Sequence, residues 1–474
     1  MATAVAHPLV GGAEPLAEPL SEPSAEPLSE PLSEPPAEVL PRGPRLPPIV
    51  QTLVWAIAPT WVMDQCARRY GDTFTLTFGP SGRKLVMVSD PEAVKTVFTA
   101  PPDVAPSAAN ASPIAPVMGP SSVITLTGPE HMRQRKLLLP PFHGERMREY
   151  EEVIVQATRR SMASWPLGEP MKLSERTRAI TLEVILRAVF GVEAERMGAL
   201  REAIAGLLEP IQTPVLLLAA LRRPSEERPT GAIGRGLDQL DAVIYAEIAR
   251  RRTQEDLGER ADILSLLLLA RDDAGQEMTD QELRDELVTL LLAGHETTAT
   301  AVAWAVERLV RHPDKLTRLV AEIDADEGDE YMQAVIAETL RVRPVVPMVV
   351  RVLQEPLSVG GHELPKGTRV VPSIYLTNRN PRVYEAPSEF MPERFLDHPP
   401  ETFSWIPFGG GIRRCIGASF ATLEMKLILQ TVLRELAPSV PARGGRLWRK
   451  GEWNRRRAIT LVPAAGARVT WRRR

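Results

Sequence analysis

Cysteine is nearly missing from this 474-residue sequence, which has only Cys66 and Cys415. A disulfide framework is thereby excluded, and a reducing compartment suits the chain. Structural zinc is excluded too, because a closed site needs four Cys or His ligands at short spacing and neither cysteine has another Cys or a His close by. Long apolar runs are also missing: none reaches the roughly 18 residues of a membrane span, and no basic segment followed by an apolar one opens the chain. The expectation is a cytoplasmic protein without a transmembrane anchor. Nor is either charge in excess. With 57 basic and 60 acidic residues the formal charge is −3, which gives no general reason to expect nucleic acid or an acidic membrane surface as partner.

What is present begins with a repeat. Glu-Pro recurs at positions 14, 18, 22, 26, 30 and 34 in a stretch without a basic residue. Regular proline removes backbone donors and blocks helix, so residues 1–47 are expected to be a disordered, extended tail and 48–474 the folded domain. Within that domain, YGDTFTLTFGPSGRKLVMVSD alternates apolar and polar residues on both sides of a Gly-Pro-Ser-Gly turn, which predicts a hairpin. Two more β patterns are LSVGGHELPKGTRVVPS and RRRAITLVPAAGARVTW, and long helical patterns lie between. The predicted class is mainly α with a small β region.

The most informative helix starts after Met278. Thr279 and Glu282 form a capping-box pattern, and apolar periodicity then runs to His312-Pro313, about 32 residues or roughly 48 Å. That length crosses a whole domain. Midway, LLAGHETTAT places Gly294 and Thr297 on the stripe where leucines would pack better, and Gly294 costs about 1 kcal/mol relative to Ala. Either another backbone approaches there or something else fills the dent. HETTA is not a zinc-protease motif, because Ala299 stands where the second His would be.

Cys415 sits in PFGGGIRRCIG, just before the helical pattern SFATLEMKLILQTVLREL. A helix start and the neighbouring Arg413 and Arg414 favour a thiolate, while Gly409, Gly410, Gly411 and Gly417 remove side chains on both sides, so that a large flat body could lie against the backbone. A phosphate loop is excluded by the missing Gly-Lys-Ser/Thr ending. An inert buried cysteine leaves the glycines and arginines unexplained, a nucleophile would need a histidine base, and a thiolate ligand to heme iron uses every feature.

The segment resembles the heme-binding loop of cytochromes P-450, since Phe408, Gly411, Arg413, Cys415 and Gly417 all match the family pattern. The resemblance implies heme b with Cys415 as proximal axial ligand, Phe408 beside the sulfur and Arg413 on a propionate. Other landmarks follow over roughly residues 40 to 474. ETLR supplies Glu338 and Arg341, and MPERF supplies Arg394, which together resemble the family's Glu-Arg-Arg cluster. GPEHMRQRKLLLPPFHGERM resembles the family's third helix, making His131 and Arg135 propionate contacts, with Arg351 as a further one. In AGHETT the resemblance makes Gly294 the residue that leaves room for dioxygen, with Thr297 and Glu296 as an alcohol and acid pair that delivers protons. The fold it implies is a triangular helical prism with a long central helix and a β-rich lobe.

The similarity is greatest to soluble bacterial members of the cyanobacterial and myxobacterial type, which are linked with fatty acids and terpenoids. It implies a heme-thiolate monooxygenase that inserts one atom of O2 into an apolar small molecule. The expected partners are a separate ferredoxin and its reductase, docking near Arg133, Lys136, Arg146 and Arg414, with the enzyme itself a monomer. The alternative is a peroxygenase or ligand-binding heme protein that needs no external electrons. Expected pocket segments are SAANASPIAPVMGPSS, LLEPIQTPVLLLAAL and PVVPMVV. Two C-terminal arginine triplets suggest nucleic acid at first sight, but they lie in a strand-like pattern without a binding motif, and no nucleic acid is expected.

Overall fold

A computed structural model describes residues 39–108, 115–142, 144, 146–191, 198, 200–204, 206–207, 228–441 and 451–474. Nearly all of the expected Glu-Pro tail, most of LLEPIQTPVLLLAAL and part of SAANASPIAPVMGPSS lie outside the described residues. The architecture is helical with small sheets at its edges, as the patterns predict. Eleven helices carry the description: α1 (Pro48–Ile57), α2 (Pro59–Tyr70), α3 (Pro91–Thr99), α4 (Gly128–Leu138), α5 (Arg146–Met162), α6 (Leu173–Phe190), α7 (Gly231–Arg252), α8 (Asp280–Leu309), α9 (Pro313–Ala325), α10 (Glu330–Val342) and α11 (Ala418–Glu435).

Helix α8 runs through the core. Its start is the capping box read from the sequence: the Glu282 amide donates to Thr279 Oγ1 at 3.2 Å, and the Thr279 amide donates to Glu282 Oε2 at 2.7 Å. Most of its residues are buried, down to Trp304, whose indole N–H donates to the Leu461 carbonyl at 3.0 Å. Helix α6 packs along α8 through apolar side chains and two hydroxyls, with Thr177 donating to the Ala299 carbonyl at 3.0 Å and Thr181 to the His295 carbonyl at 2.8 Å. Each β-branched hydroxyl thus takes up a carbonyl on the facing helix and fixes the register of the pair. One continuous apolar cluster spans α5, α6, α7, α8, α10 and α11.

The strands form where the alternation indicates. Strands β1 (Thr73–Phe78) and β2 (Arg83–Val88) are an antiparallel hairpin, extended by β7 (Arg369–Pro372) and β4 (Arg351–Val352) in the order β1-β2-β7-β4. Between them in sequence, β5 (Leu357–Val359) and β6 (His362–Leu364) pair as a second hairpin. A three-stranded sheet joins β3 (Pro170–Lys172), β11 (Arg468–Arg473) and β8 (Leu436–Ser439), and β9 (Asn454–Arg457) pairs with β10 (Thr460–Pro463). Both arginine triplets therefore lie in or beside sheet strands, as their pattern indicates. The sheet containing β4 is what positions Arg351, at a strand start facing the loop that leads to Cys415. No helix among the described residues is long and apolar enough to cross a membrane.

Candidate functional site

The loop before α11 is shaped by the approach of α3. A Cβ on Gly411, whose φ is +65°, would lie 2.1 Å from the Phe98 carbonyl oxygen, and one on Gly410 would lie 2.3 Å from the Phe98 ring. Only glycine fits at either position. The Cys415 amide then donates to the Phe408 carbonyl at 3.0 Å, closing the loop, while the Phe408 ring lies 6.0 Å from Trp405, which donates to the Ala337 carbonyl on α10 at 3.1 Å. By contrast, no protein atom lies within 4 Å of where a Cβ on Gly409 or Gly417 would point. Cys415 itself has an open surface but is otherwise surrounded by protein. This enclosure raises its thiol pKa, against the opposing pull of the Gly417 amide, Arg414 and Arg135.

Three of the sequence-predicted propionate contacts meet beside that loop. His131, Arg351 and Arg413 line one pocket together with Gly410 and Phe98. Burial and the neighbouring Arg413, Arg135 and Arg351 depress His131 to about 3, so it is neutral at neutral pH. Burial lowers Arg351 to about 10, and burial with Arg351 and Arg135 lowers Arg413 to about 10. Arg351 also lies 5.8 Å from the Phe98 ring centroid. Arg413 donates to the carbonyls of Val123 at 3.1 Å, of Ile124 at 3.3 Å and of Leu126. Neither arginine is ion-paired with a carboxylate among the described residues, so the pocket is prepared for anionic groups. Arg135 is not in its lining, though it acts electrostatically on both Cys415 and Arg414.

Glu338, Arg341 and Arg394 do form one buried network. Arg341 donates to Glu338 through Nε at 2.6 Å and Nη2 at 2.8 Å, and Arg394 Nε reaches Glu338 Oε1 at 3.2 Å. Arg341 also donates to the carbonyls of Asn378 at 2.9 Å, Pro387 at 2.8 Å and Glu389 at 3.0 Å. Glu338 and Arg341 are fully buried, which is tolerable only because every charge is paired. The network binds α10 to the segment that leads into the cysteine loop.

On α8 the predicted trio separates. The Thr297 hydroxyl donates back to the Ala293 carbonyl at 2.7 Å. Gly294 instead faces α6, where a Cβ would meet Ile185 Cδ1 at 3.1 Å and Cγ1 at 3.3 Å. The mid-helix glycine is thus explained by a helix crossing, the first of the two readings its position allows. Ala293, one turn before Thr297 and exposed, is the small residue on the Thr297 face, and the i, i+4 spacing could have identified it. Glu296 also turns away. Its carboxylate pairs with Arg457 of β9 at 3.2 Å and lines a cavity of about 160 Å³ with Arg178, Thr300 and Arg455. Burial raises its pKa, while Arg457 and Arg178 pull it down. Thr297 and Glu296 share no hydrogen bond.

Comparison with known proteins decides the family. The family profile described as Cytochrome P450 matches residues 41–450. The chain belongs to the cytochrome P450 family. It is 42% identical over 415 residues to a Mycobacterium tuberculosis protein provisionally named cytochrome P450 137, covering 86% of this chain and 85% of that one. It is 40% identical over 438 residues to a Mycobacterium bovis protein provisionally named cytochrome P450 135B1, covering 91% of each. Among solved structures, the retinoic acid-bound cyanobacterial CYP120A1 superposes with a TM-score of 0.77 at 24% identity, over 92% of this chain and all of that one. The heme domain of cytochrome P450DA also gives 0.77 at 24% identity, over 92% of this chain and 98% of that one. These two share the fold.

As a P450 the protein is a heme monooxygenase that uses O2, a redox partner and a small-molecule substrate. Its cofactor is heme b, and the residues present fit that group. A flat macrocycle needs backbone without side chains beside its ligand, which Gly409 and Gly417 supply, and its two carboxylates need unpaired cations, which line the adjacent pocket.

Proposed function

We propose that Cys415 is the axial ligand of the heme iron and that the protein hydroxylates an apolar small molecule, a long-chain fatty acid or a terpenoid. The observation that carries the site is the juxtaposition of the open surface of Cys415 with the buried pocket of Arg351, Arg413 and His131. In this reading Arg351 and Arg413 bind the propionates, neutral His131 donates one further hydrogen bond, and Arg135 acts as a nearby positive charge. Phe408, Gly411 and Gly417 shape the sulfur's surroundings, and the buried Glu338, Arg341 and Arg394 keep the proximal loop in place. When bound, the heme supplies the activation of dioxygen and the transfer of one oxygen atom to substrate.

The chain's own contribution on the other side centres on α8. Ala293 and Thr297 share a face, so a methyl group and a hydroxyl border the reacting space. Thr297 has its hydroxyl proton engaged with the Ala293 carbonyl, which leaves its oxygen lone pairs directed outward to accept from a water. Glu296 lines the cavity on the β9 side, with both carboxylate oxygens shielded from solvent. Release from Arg457 then lets the carboxyl carry a proton round the helix towards Thr297. The electrons are assigned to a ferredoxin and its reductase.

The similar CYP120A1 structure holds retinoic acid, an isoprenoid carboxylic acid, which favours the terpenoid branch. The folded monooxygenase unit is assigned to residues 48–474, and the segment from Leu40 onward, expected to belong to the tail, joins it, with Leu40 buried and the Thr75 hydroxyl donating to the Pro41 carbonyl at 2.7 Å. Titration of the purified holoprotein with a fatty acid and with a sesquiterpene, followed by the iron spin state, tests the substrate class. In the turnover assay, Thr297→Ala is expected to release most of the reducing equivalents as peroxide, and unchanged coupling would remove Thr297 from the proton path.

A further inference from the structure

Helix α1 is inside out for a helix on a water-soluble surface. Its sequence, PIVQTLVWAI, carries no charge, and its polar side chains point into the protein. Gln51 is buried and donates to the carbonyls of Pro44 at 3.2 Å and Leu46 at 2.8 Å, while accepting from the Thr77 amide at 3.0 Å. Thr52 accepts from the Gly79 amide at 2.9 Å. These bonds hold α1 firmly on the β1–β2 hairpin, so the exposure of its other face is not the result of loose attachment. That face is apolar: Ile49, Val50, Leu53 and Ile57 follow helical spacing and are exposed, as are Leu46 just before α1 and Trp61 at the start of α2, beyond the break at Ala58. Ile57 is 79% exposed. Two further exposed apolar residues flank β9, which packs against α1: Trp453, at 67%, and Ile459.

Basic residues flank this stripe. Arg42 and Arg45 precede α1, and Arg68 and Arg69 end α2, on the turn that follows Trp61 and Gln65 along the exposed side. All four are exposed, and none is ion-paired with a carboxylate among the described residues. An apolar centre with tryptophan and a cationic margin is the composition of an interfacial element, in which the apolar face enters the headgroup boundary and the guanidinium groups meet lipid phosphates. A second copy of the chain fits less well. A ten-residue helix is about 15 Å long, and such a stripe falls short of the roughly 800 Å² per partner of a stable dimer, while four facing arginines would repel their symmetry mates.

We infer that the face formed by α1, the start of α2 and the β9 margin docks onto an anionic phospholipid surface, with Ile57 and Trp61 inserted and Arg42, Arg45, Arg68 and Arg69 on the headgroups. The inference is independent of the substrate. It is tested by sedimenting the full-length holoprotein with vesicles of phosphatidylcholine alone and of phosphatidylcholine mixed with phosphatidylglycerol. Saturable binding to the mixed vesicles is expected, weakened by salt. Ile57→Asp combined with Trp61→Asp should lower partitioning by about tenfold or more, and Gln at the four arginines should abolish the preference for phosphatidylglycerol. Unchanged heme spectra and melting temperatures of the variants establish that they fold. Absence of wild-type binding, equal binding by the Asp variant, or a dimer in light scattering that the Asp substitutions dissociate would overturn the inference.

Discussion

The two cysteines illustrate how environment divides residues of one type. Cys66 lies on α2 among Met63, Phe74 and Leu76, where burial pushes its thiol up to about 11. It behaves as a small apolar residue. Cys415 has an open surface, a helix start behind it and two arginines nearby. Glu296 shows a similar division of influences: burial raises its pKa, and Arg457 with Arg178 lowers it. Removing Arg457 therefore raises it further, so the protonated form persists to higher pH. If Glu296 supplies protons, Arg457→Gln is expected to move the pH limb of substrate-driven turnover upward, read as coupling efficiency against pH. A profile identical to wild type would place Glu296 outside proton delivery.

At the level of elements, periodicity and caps were the legible part. The β1–β2 hairpin follows from alternation around a four-residue turn, and α8 follows from its capping box and apolar repeat. The family resemblance, and not spacing by itself, grouped His131, Arg351 and Arg413, and separately Glu338, Arg341 and Arg394. What remained illegible was direction around α8. Gly294, Glu296 and Thr297 are neighbours in sequence, yet 100° per residue sends them towards Ile185, Arg457 and the Ala293 face respectively. Glu424 was equally hidden: a lone Glu in the α11 pattern looks like a surface residue, but complete burial raises it to about 8, with Thr298 as its hydrogen-bond partner. Neither case can be read without knowing which helix lies opposite. The crossing can be tested by stability. Gly294→Ala should lower the melting temperature by a few degrees, as crowding of Ile185 exceeds the gain in helix propensity of about 1 kcal/mol, and Ile185→Val should restore it. Failure of the second substitution to rescue the first would mean that Gly294 does not serve the crossing.

For the whole molecule, charge counts say less than pairing. Near-neutral composition gives no hint of where a basic face would lie, and three of the four residues named for partner docking have carboxylate partners. Arg133 is 2.5 Å from both Asp272 and Glu282, Lys136 is 2.5 Å from Asp273, and Arg146 is 3.4 Å from Glu149. These partners come from other parts of the chain or the next helical turn, so the net charge of that surface is smaller than its basic residues alone suggest. Arg414, exposed beside Cys415, remains, with Arg135 behind it. Arg414→Glu is therefore expected to slow ferredoxin-supported reduction several-fold and to leave chemical reduction unchanged, whereas Lys136→Glu has a smaller effect. Equal effects of the two substitutions would show that pairing with Asp273 does not diminish the role of Lys136.

The central claim is that the Cys415 sulfur holds the heme iron. Its most direct test is the Soret position of the reduced, carbon monoxide-treated holoprotein, compared among wild type, Cys415→His and Cys66→Ser. The account predicts the strongly red-shifted band of thiolate ligation in wild type and Cys66→Ser, and its loss in Cys415→His. A wild-type spectrum without that band, or one that persists in Cys415→His, would contradict it.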